Sequence, residues 1–288
     1  MPPKATSRPP LTHFLCLPLV TRDSKPQLQN ALEAFASEIT QKADPATAHV
    51  GARIGLPGKA VRPVGTLHLT LGVMSLTTQA RVNEALTLLQ SINVHELLET
   101  FRLGGKGSDG ASAQKEESNP AASTEDAGVQ HQDPKHDAAA EPRIPTTAHP
   151  LQVSLRGLTP MHSPTSTSIL YSSPICRTHD LPSLCQSLVS LFRAAGLMLP
   201  DARPLLLHAT ILNTIYVPKV RQASGRAGHG KHKAKLTIDA SGVLDRFAEH
   251  VWMEDCVLEK VAICRMGAKV VEDGGEEYVE EGARALLG

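Results

Sequence analysis

The sequence predicts an α+β protein made of two pseudo-symmetric β-sheet halves with outer helices, and three observations carry that prediction. One short motif occurs twice, as Arg62-Pro63-Val64-Gly65-Thr66-Leu67-His68-Leu69-Thr70 and as Arg203-Pro204-Leu205-Leu206-Leu207-His208-Ala209-Thr210. The order strand, helix, His-x-Thr strand occurs in both halves. Between the halves, from about Gly104 to Pro150, aliphatic residues nearly vanish and Gly, Ser, Ala, Asp, Glu, Lys and Pro dominate.

Residues 1–10 are expected as a disordered tail. Thr12 to Pro18 is mostly apolar and reads as a strand. Leu28, Leu32, Phe35 and Ile39 then recur at helical spacing, with Ser24 placed to cap the helix and Pro26 in a first turn that tolerates it. The first motif runs on through Gly72-Val73-Met74, and a helix from Thr78 to Ser91 carries Val82, Leu86 and Leu89. The 104–150 segment cannot bury enough apolar surface to offset its ordering entropy. It is expected as a disordered insertion in a connecting loop of one domain spanning 11–270, because lengthening such a loop costs little.

The second half opens with Leu151 to Leu155, which alternates like a strand, and a strand from Thr167 to Tyr171 that ends at Pro174. A helix follows with Leu181, Leu184, Leu188, Leu191 and Phe192 on one face. Asp180 is placed to cap it, Pro182 sits in its first turn, and Gly196 ends it. After Thr210 the chain stays β-like to Val217, and a basic loop runs from Lys219 to Lys235. A strand near Leu236 to Ile238, a short helix near Val243 to Glu249 and a last strand near Cys256 to Met266 complete the domain. Residues 271–288 are expected as an acidic tail with a short helical end. The picture is of two sheets or half-sheets facing one another across a central cleft.

Composition narrows the function classes. The 288 residues carry zero formal net charge, so attraction to nucleic acid or membrane requires a local patch. The five cysteines lie singly, with no CxxC pair, which suits reduced thiols in an intracellular protein, nuclear or cytoplasmic. There is no apolar stretch long enough to span a bilayer and no secretory h-region. Aromatic residues are only 3%, which excludes a broad base-stacking platform. Phe14, Tyr171 and Tyr216 are single stacking candidates, with core packing the favoured role for each.

Along a strand, side chains alternate faces. His68 and Thr70 therefore share one side, as do His208 and Thr210, while Leu67, Leu69 and Leu71, and Leu207, Ala209 and Ile211, point to the other. Two imidazoles in one cleft can take and give a proton in a single turnover. Two hydroxyls can hold the non-bridging oxygens of a phosphate. The set suits in-line displacement at phosphorus without a metal or cofactor: two histidines and two threonines are poor metal ligands, and no H-E-x-x-H occurs. Acyl transfer lacks a G-x-S-x-G elbow. Arg62 and Arg203 are candidate phosphate contacts, although Arg beside Pro equally suits a surface turn. Lys231 and Lys233 of the basic loop are candidate nucleic-acid contacts, against the alternative of a solvated loop. His229 and His232 in that loop lack a third metal ligand nearby.

The runs His68-Leu69-Thr70-Leu71-Gly72-Val73-Met74 and Leu207-His208-Ala209-Thr210-Ile211-Leu212-Asn213-Thr214 resemble the paired motifs of the 2H (two-histidine) phosphoesterase superfamily. Within it, they resemble the branch that holds the nuclear-localisation-type domain of an A-kinase anchoring protein and the first subunit of the activating signal cointegrator complex. Thr12 to Pro18 and Leu258 to Lys269 are similar to that branch as well. The resemblance implies a bilobal fold and metal-independent cleavage of 2′,3′-cyclic, 2′-5′-linked or RNA-end phosphodiesters. It assigns catalysis to His68 and His208 and phosphate binding to Thr70 and Thr210. The expected partner is an RNA or nucleotide substrate. The rival expectation is a non-catalytic nucleotide- or protein-binding module in a transcription, repair or kinase-anchoring complex. Which histidine is acid and which is base stays open, because the halves are pseudo-symmetric.

Overall fold

The computed structural model describes residues 9–41, 55–104, 150–178, 180–217 and 236–286. The core of the 104–150 insertion, the basic loop with Lys231 and Lys233, and most of the 1–10 tail lie outside the described residues. In chain order, the first half holds β1 (His13–Pro18), α1 (Ser24–Thr40), β2 (His68–Met74), α2 (Gln79–Ser91) and α3 (Val94–Gly104). The second holds β3 (Gln152–Arg156), β4 (Thr159–Pro160), β5 (Ile169–Ser172), β6 (Pro174–Cys176), α4 (Asp180–Ala194) and β7 (Ala209–Asn213). It continues with α5 (Ser241–Arg246), β8 (Val251–Val257), β9 (Lys260–Arg265), β10 (Lys269–Val270), β11 (Glu276–Glu277) and β12 (Glu280–Ala285).

The α+β expectation holds, and the sheets are antiparallel. The main sheet has seven strands in the order β12-β9-β1-β2-β7-β5-β4, and a smaller sheet runs β6-β3-β8. The two His-x-Thr strands are neighbours at the middle of the main sheet, each flanked by the strand that precedes its helix. The halves therefore join edge to edge through β2 and β7, in place of two sheets facing each other. Their junction is narrow, with Leu69 opposite Ala209 as its registered pair. The inward faces meet expectation: Leu67, Leu69, Leu71, Ala209 and Ile211 are all buried.

α1 buries Leu28, Leu32, Phe35 and Ile39, as its spacing predicts, and lies against β8. Its cap differs from expectation. Asp23 holds the N-cap position without a side-chain bond, and Ser24 is the first helical residue. The Ser24 hydroxyl instead donates to the Leu19 carbonyl at 2.6 Å and accepts from the Thr21 amide at 2.8 Å, bracing the preceding turn. α2 does have a side-chain cap: Thr78 Oγ1 accepts from the Arg81 amide at 3.3 Å. Thr78→Ala is expected to lower unfolding stability by about 1 kcal/mol, read from urea denaturation. α4 runs from Asp180 to Ala194, and Gly196 just beyond its end has a φ of 64°, a left-handed value open to glycine.

Several elements depart from the sequence reading. α3 follows α2 directly and buries Val94 and Leu98; the Asn93 side chain accepts from the Glu96 amide at its start. The strand expected to end at Pro174 is two strands in two different sheets, β5 and β6. The last strand expected over Cys256 to Met266 is likewise two, since β8 and β9 also belong to different sheets. Leu236 to Ile238 makes a single bridge, Thr167 to Ile238, and no strand. Residues 271–286 are not a helical tail. β12 forms the edge of the main sheet, with Ala283 opposite Ala262 and Arg284 opposite Val261. Its acidic side chains find cations on β9: Glu280 pairs with Lys260 at 2.7 Å and Glu281 with Arg265. Charged side chains on an edge strand suit its half-exposed position.

All five cysteines are free thiols, four of them buried. Among the described residues, no helix is long and apolar enough to cross a membrane.

Candidate active site

The junction of β2 and β7 decides how the motif residues meet. In an antiparallel pair with Leu69 opposite Ala209, His68 falls across from Thr210 and Thr70 across from His208. All four side chains then stand on the face opposite the buried leucines. They line one cavity of about 80 Å³, together with Arg62, Thr66, Asn213, Tyr216 and Tyr278. A water occupies about 30 Å³ of the liquid, so the cavity has the scale of a phosphate group and not of a whole nucleotide.

Each imidazole is held in the same way. His68 Nδ1 lies 2.8 Å from the Thr66 carbonyl oxygen, and His208 Nδ1 lies 2.8 Å from the Leu206 carbonyl oxygen. A carbonyl only accepts, so Nδ1 carries the hydrogen in both rings. That leaves Nε2 as the exchangeable nitrogen on each. The bond reaches back two residues in both copies, which is why a His-x-Thr strand preceded by an irregular segment suffices to set the tautomer.

The surroundings of the two rings differ. His68 packs on Phe14 with centroids 4.8 Å apart and the rings tilted by 34°, and meets the edge of Tyr278 at 5.3 Å. His208 meets Tyr171 at 5.3 Å. Burial pushes the His68 pKa down to about 4; the bond to the Thr66 carbonyl opposes this, and the nearby Arg62 and His208 add to it. His68 is therefore neutral at pH 7. The linkage has a definite sign. An unfolded histidine binds a proton near pH 6.5, and folded His68 resists it until about pH 4. Its contribution to folding is present above about pH 6.5 and is lost as pH falls toward 4. His68→Gln is expected to flatten that part of the stability–pH curve measured by urea denaturation.

Of the two Arg-Pro copies, only one reaches the cavity. Arg62 is 6% exposed, its amide donates to the Ile211 carbonyl of β7 at 2.8 Å, and its guanidinium lies 3.9 Å over the Tyr216 ring. Among the described residues, no carboxylate forms an ion pair with it, so a buried cation faces the cavity. Arg203 instead points to solvent and is bonded to Asp201 at 2.7 Å, which holds the Asp201 carboxyl well below its usual range. It lies on an exposed turn outside the cavity. Tyr216 does enter the cavity wall. Phe14 packs on the site histidine, and Tyr171 packs on the other. Thr66, Asn213 and Tyr278 were missed by the sequence reading. Thr66 and Asn213 lie within or beside the motifs, so motif adjacency was an available signal. Tyr278 had none.

Residues 11–275 match the family model described as AKAP7 2′5′ RNA ligase-like domain. An uncharacterized protein of Schizosaccharomyces pombe, C15D4.13c, is 26% identical over 121 residues, which is 41% of this chain. The match spans about half of that relative, 49% of its length. Similar solved structures include a phosphoesterase (14% identity, 97% of this chain and 99% of that one, TM-score 0.43). E. coli LigT in complex with 3′-AMP is another (12% identity, 97% and 99%, TM-score 0.45). Usb1 of Kluyveromyces marxianus with uridine monophosphate is a third (9% identity, 96% and 97%, TM-score 0.36). The family model covers both His-x-Thr motifs and every secondary-structure element from β1 to β10, in agreement with the resemblance carried by the motifs. The chain belongs to the AKAP7 2′5′ RNA ligase-like domain family.

Proposed function

We propose that the chain is a metal-independent phosphodiesterase acting on RNA ends or oligonucleotides, at 2′,3′-cyclic, 2′-5′ or 3′-5′ linkages. The observation that carries this is the pair of histidines with identical Nδ1–H tethers, sharing a phosphate-sized cavity with two threonines and a buried guanidinium. In the forward step, neutral His68 accepts the proton of the attacking water or hydroxyl at Nε2. His208, protonated, gives a proton from Nε2 to the leaving oxygen. Charge growing on the non-bridging oxygens meets the Thr70 and Thr210 hydroxyls and the Arg62 guanidinium, which already points inward and needs no reorganisation. The small cavity admits the phosphate, and the flanking nucleosides extend outside it. The substrate class rests on the family's 2′5′ RNA ligase-like description.

The test is turnover of 2′,3′-cyclic, 2′-5′ and 3′-5′ linked substrates across pH, with and without EDTA. A bell-shaped profile unaffected by EDTA is expected, with its acid limb set by His68 taking up a proton near pH 4. No turnover of any linkage alongside intact nucleotide binding would replace the enzyme with a binding module.

A further inference from the structure

The histidines have like tethers but unlike neighbours, and the difference comes from a part of the chain outside the repeat. β10 and β11 form a hairpin whose far strand passes over the 3₁₀ turn Val64–Thr66, just before His68. The fit is close. A Cβ placed on Gly65 would lie 2.6 Å from the Glu276 carbonyl oxygen and 2.6 Å from Glu277 Cγ, so only glycine lets the hairpin seat there. Directly after the hairpin comes Tyr278, three residues beyond the segment that the family model matches. Its ring is half-buried, edge-on to His68 at 85° and edge-on to Phe14 at 4.9 Å. Its phenol interacts with Tyr216 and Arg62.

We propose that Tyr278 is a positioning residue: with Phe14 it clamps the His68 imidazole and shields it from water, which fits His68 and not His208 to serve as the base. The last clause rests on the proposed acid–base activity. The clamp itself does not. His68 is fixed on three sides, by Phe14 across its face, Tyr278 at its flank and the Thr66 carbonyl at Nδ1. Among the described residues, His208 has one aromatic neighbour, Tyr171, and the Leu206 carbonyl. Among the described residues, the charged and titratable groups that share the cavity with His68 are Arg62, His208, Tyr216 and Tyr278 itself. Arg62 and His208 both oppose a proton on His68. Arg62 also touches the Tyr278 phenol, so Tyr278→Phe separates the loss of that contact from the loss of the ring. The depressed pKa of His68 is consistent with the shielding. Burial of the Tyr278 phenol raises its own pKa, so it stays neutral at working pH.

The experiment is an NMR titration of the His68 ring in the full chain, followed through its Cε1–H signal. Tyr278→Ala is expected to raise the midpoint by about one unit or more, toward that of a solvated histidine. Tyr278→Phe keeps the ring and is expected to hold the midpoint near wild type. Gly65→Ala, which must displace the hairpin, is expected to raise it as Tyr278→Ala does. If Tyr278→Ala does not fold, Tyr278→Leu is titrated in its place and should move the midpoint upward by a smaller amount. An unchanged His68 midpoint in the folded Ala or Leu variant overturns the clamp, as does an equal shift in Tyr278→Phe. The acid limb of kcat/KM should move with the titration. A titration shift without turnover in any variant or in wild type removes the proposed activity and leaves the clamp standing. Turnover that depends on both histidines, with no titration shift, removes the clamp alone.

Discussion

His68→Ala and His208→Ala are each expected to lower the rate of phosphodiester cleavage by roughly 10²–10⁴, the usual loss when one positioned general acid or base is removed. Thr70→Val and Thr210→Val, which delete a hydroxyl and keep the volume, should lose on the order of 10²–10³ each. Combining both histidine changes should add little to either alone, because one missing partner already stops a concerted transfer. The threonine variants should keep their melting temperature, whereas His68→Ala also removes packing on Phe14 and Tyr278, so its activity is read below its own unfolding transition. Steady-state assays on a 2′,3′-cyclic and a 2′-5′ linked dinucleotide read the result. Activity that survives removal of both histidines would place the chemistry elsewhere.

The largest stability effect is expected at Phe35. Its ring is fully buried and meets Phe247 edge-on at 4.9 Å and Trp252 edge-on at 5.3 Å. Trp252 in turn donates from Nε1 to the Gly157 carbonyl at 2.8 Å, so α1, the end of α5, β8 and the turn after β3 close on one aromatic cluster. Phe35→Ala leaves a cavity that these tethered rings cannot collapse into. The expected loss is about 3–5 kcal/mol, or on the order of 10 °C in melting temperature. The site lies on the other face of β2, so the variant should retain cleavage activity while it remains folded. A loss below about 1 kcal/mol in urea denaturation would mean that the cluster repacks.

Much of this protein was legible because its signals are local. Leu28, Leu32, Phe35 and Ile39 mark α1 by spacing alone, and all four are buried. His68 and Thr70 alternate with buried leucines on β2, as the strand period requires. The motif's recurrence at His208 was enough to suggest one shared cavity, which the antiparallel Leu69–Ala209 pair forms. Other features were illegible for physical reasons. Arg62 and Arg203 sit in matching motifs. One is drawn inward by its amide bond to Ile211 and the other outward by Asp201, two residues away. β12 reads as an acidic, helix-compatible stretch until β9 offers it an edge with Lys260 and Arg265. Ser24 looked like a cap, but the turn before it supplied nearer partners.

The sequence by itself determined the periodic elements, the repeated motif and the face on which each His-x-Thr pair stands, because helix and strand periods act between residues a few positions apart. The tertiary structure alone decided that the two motifs share a single sheet, that Arg62 and not Arg203 enters the cavity, and that Tyr278 flanks His68. Those outcomes depend on which distant backbone edges find each other, β2 with β7 and β9 with β12. Pairing between remote strands is selected by the combined burial and hydrogen bonding of the whole sheet, which no local pattern of residues encodes.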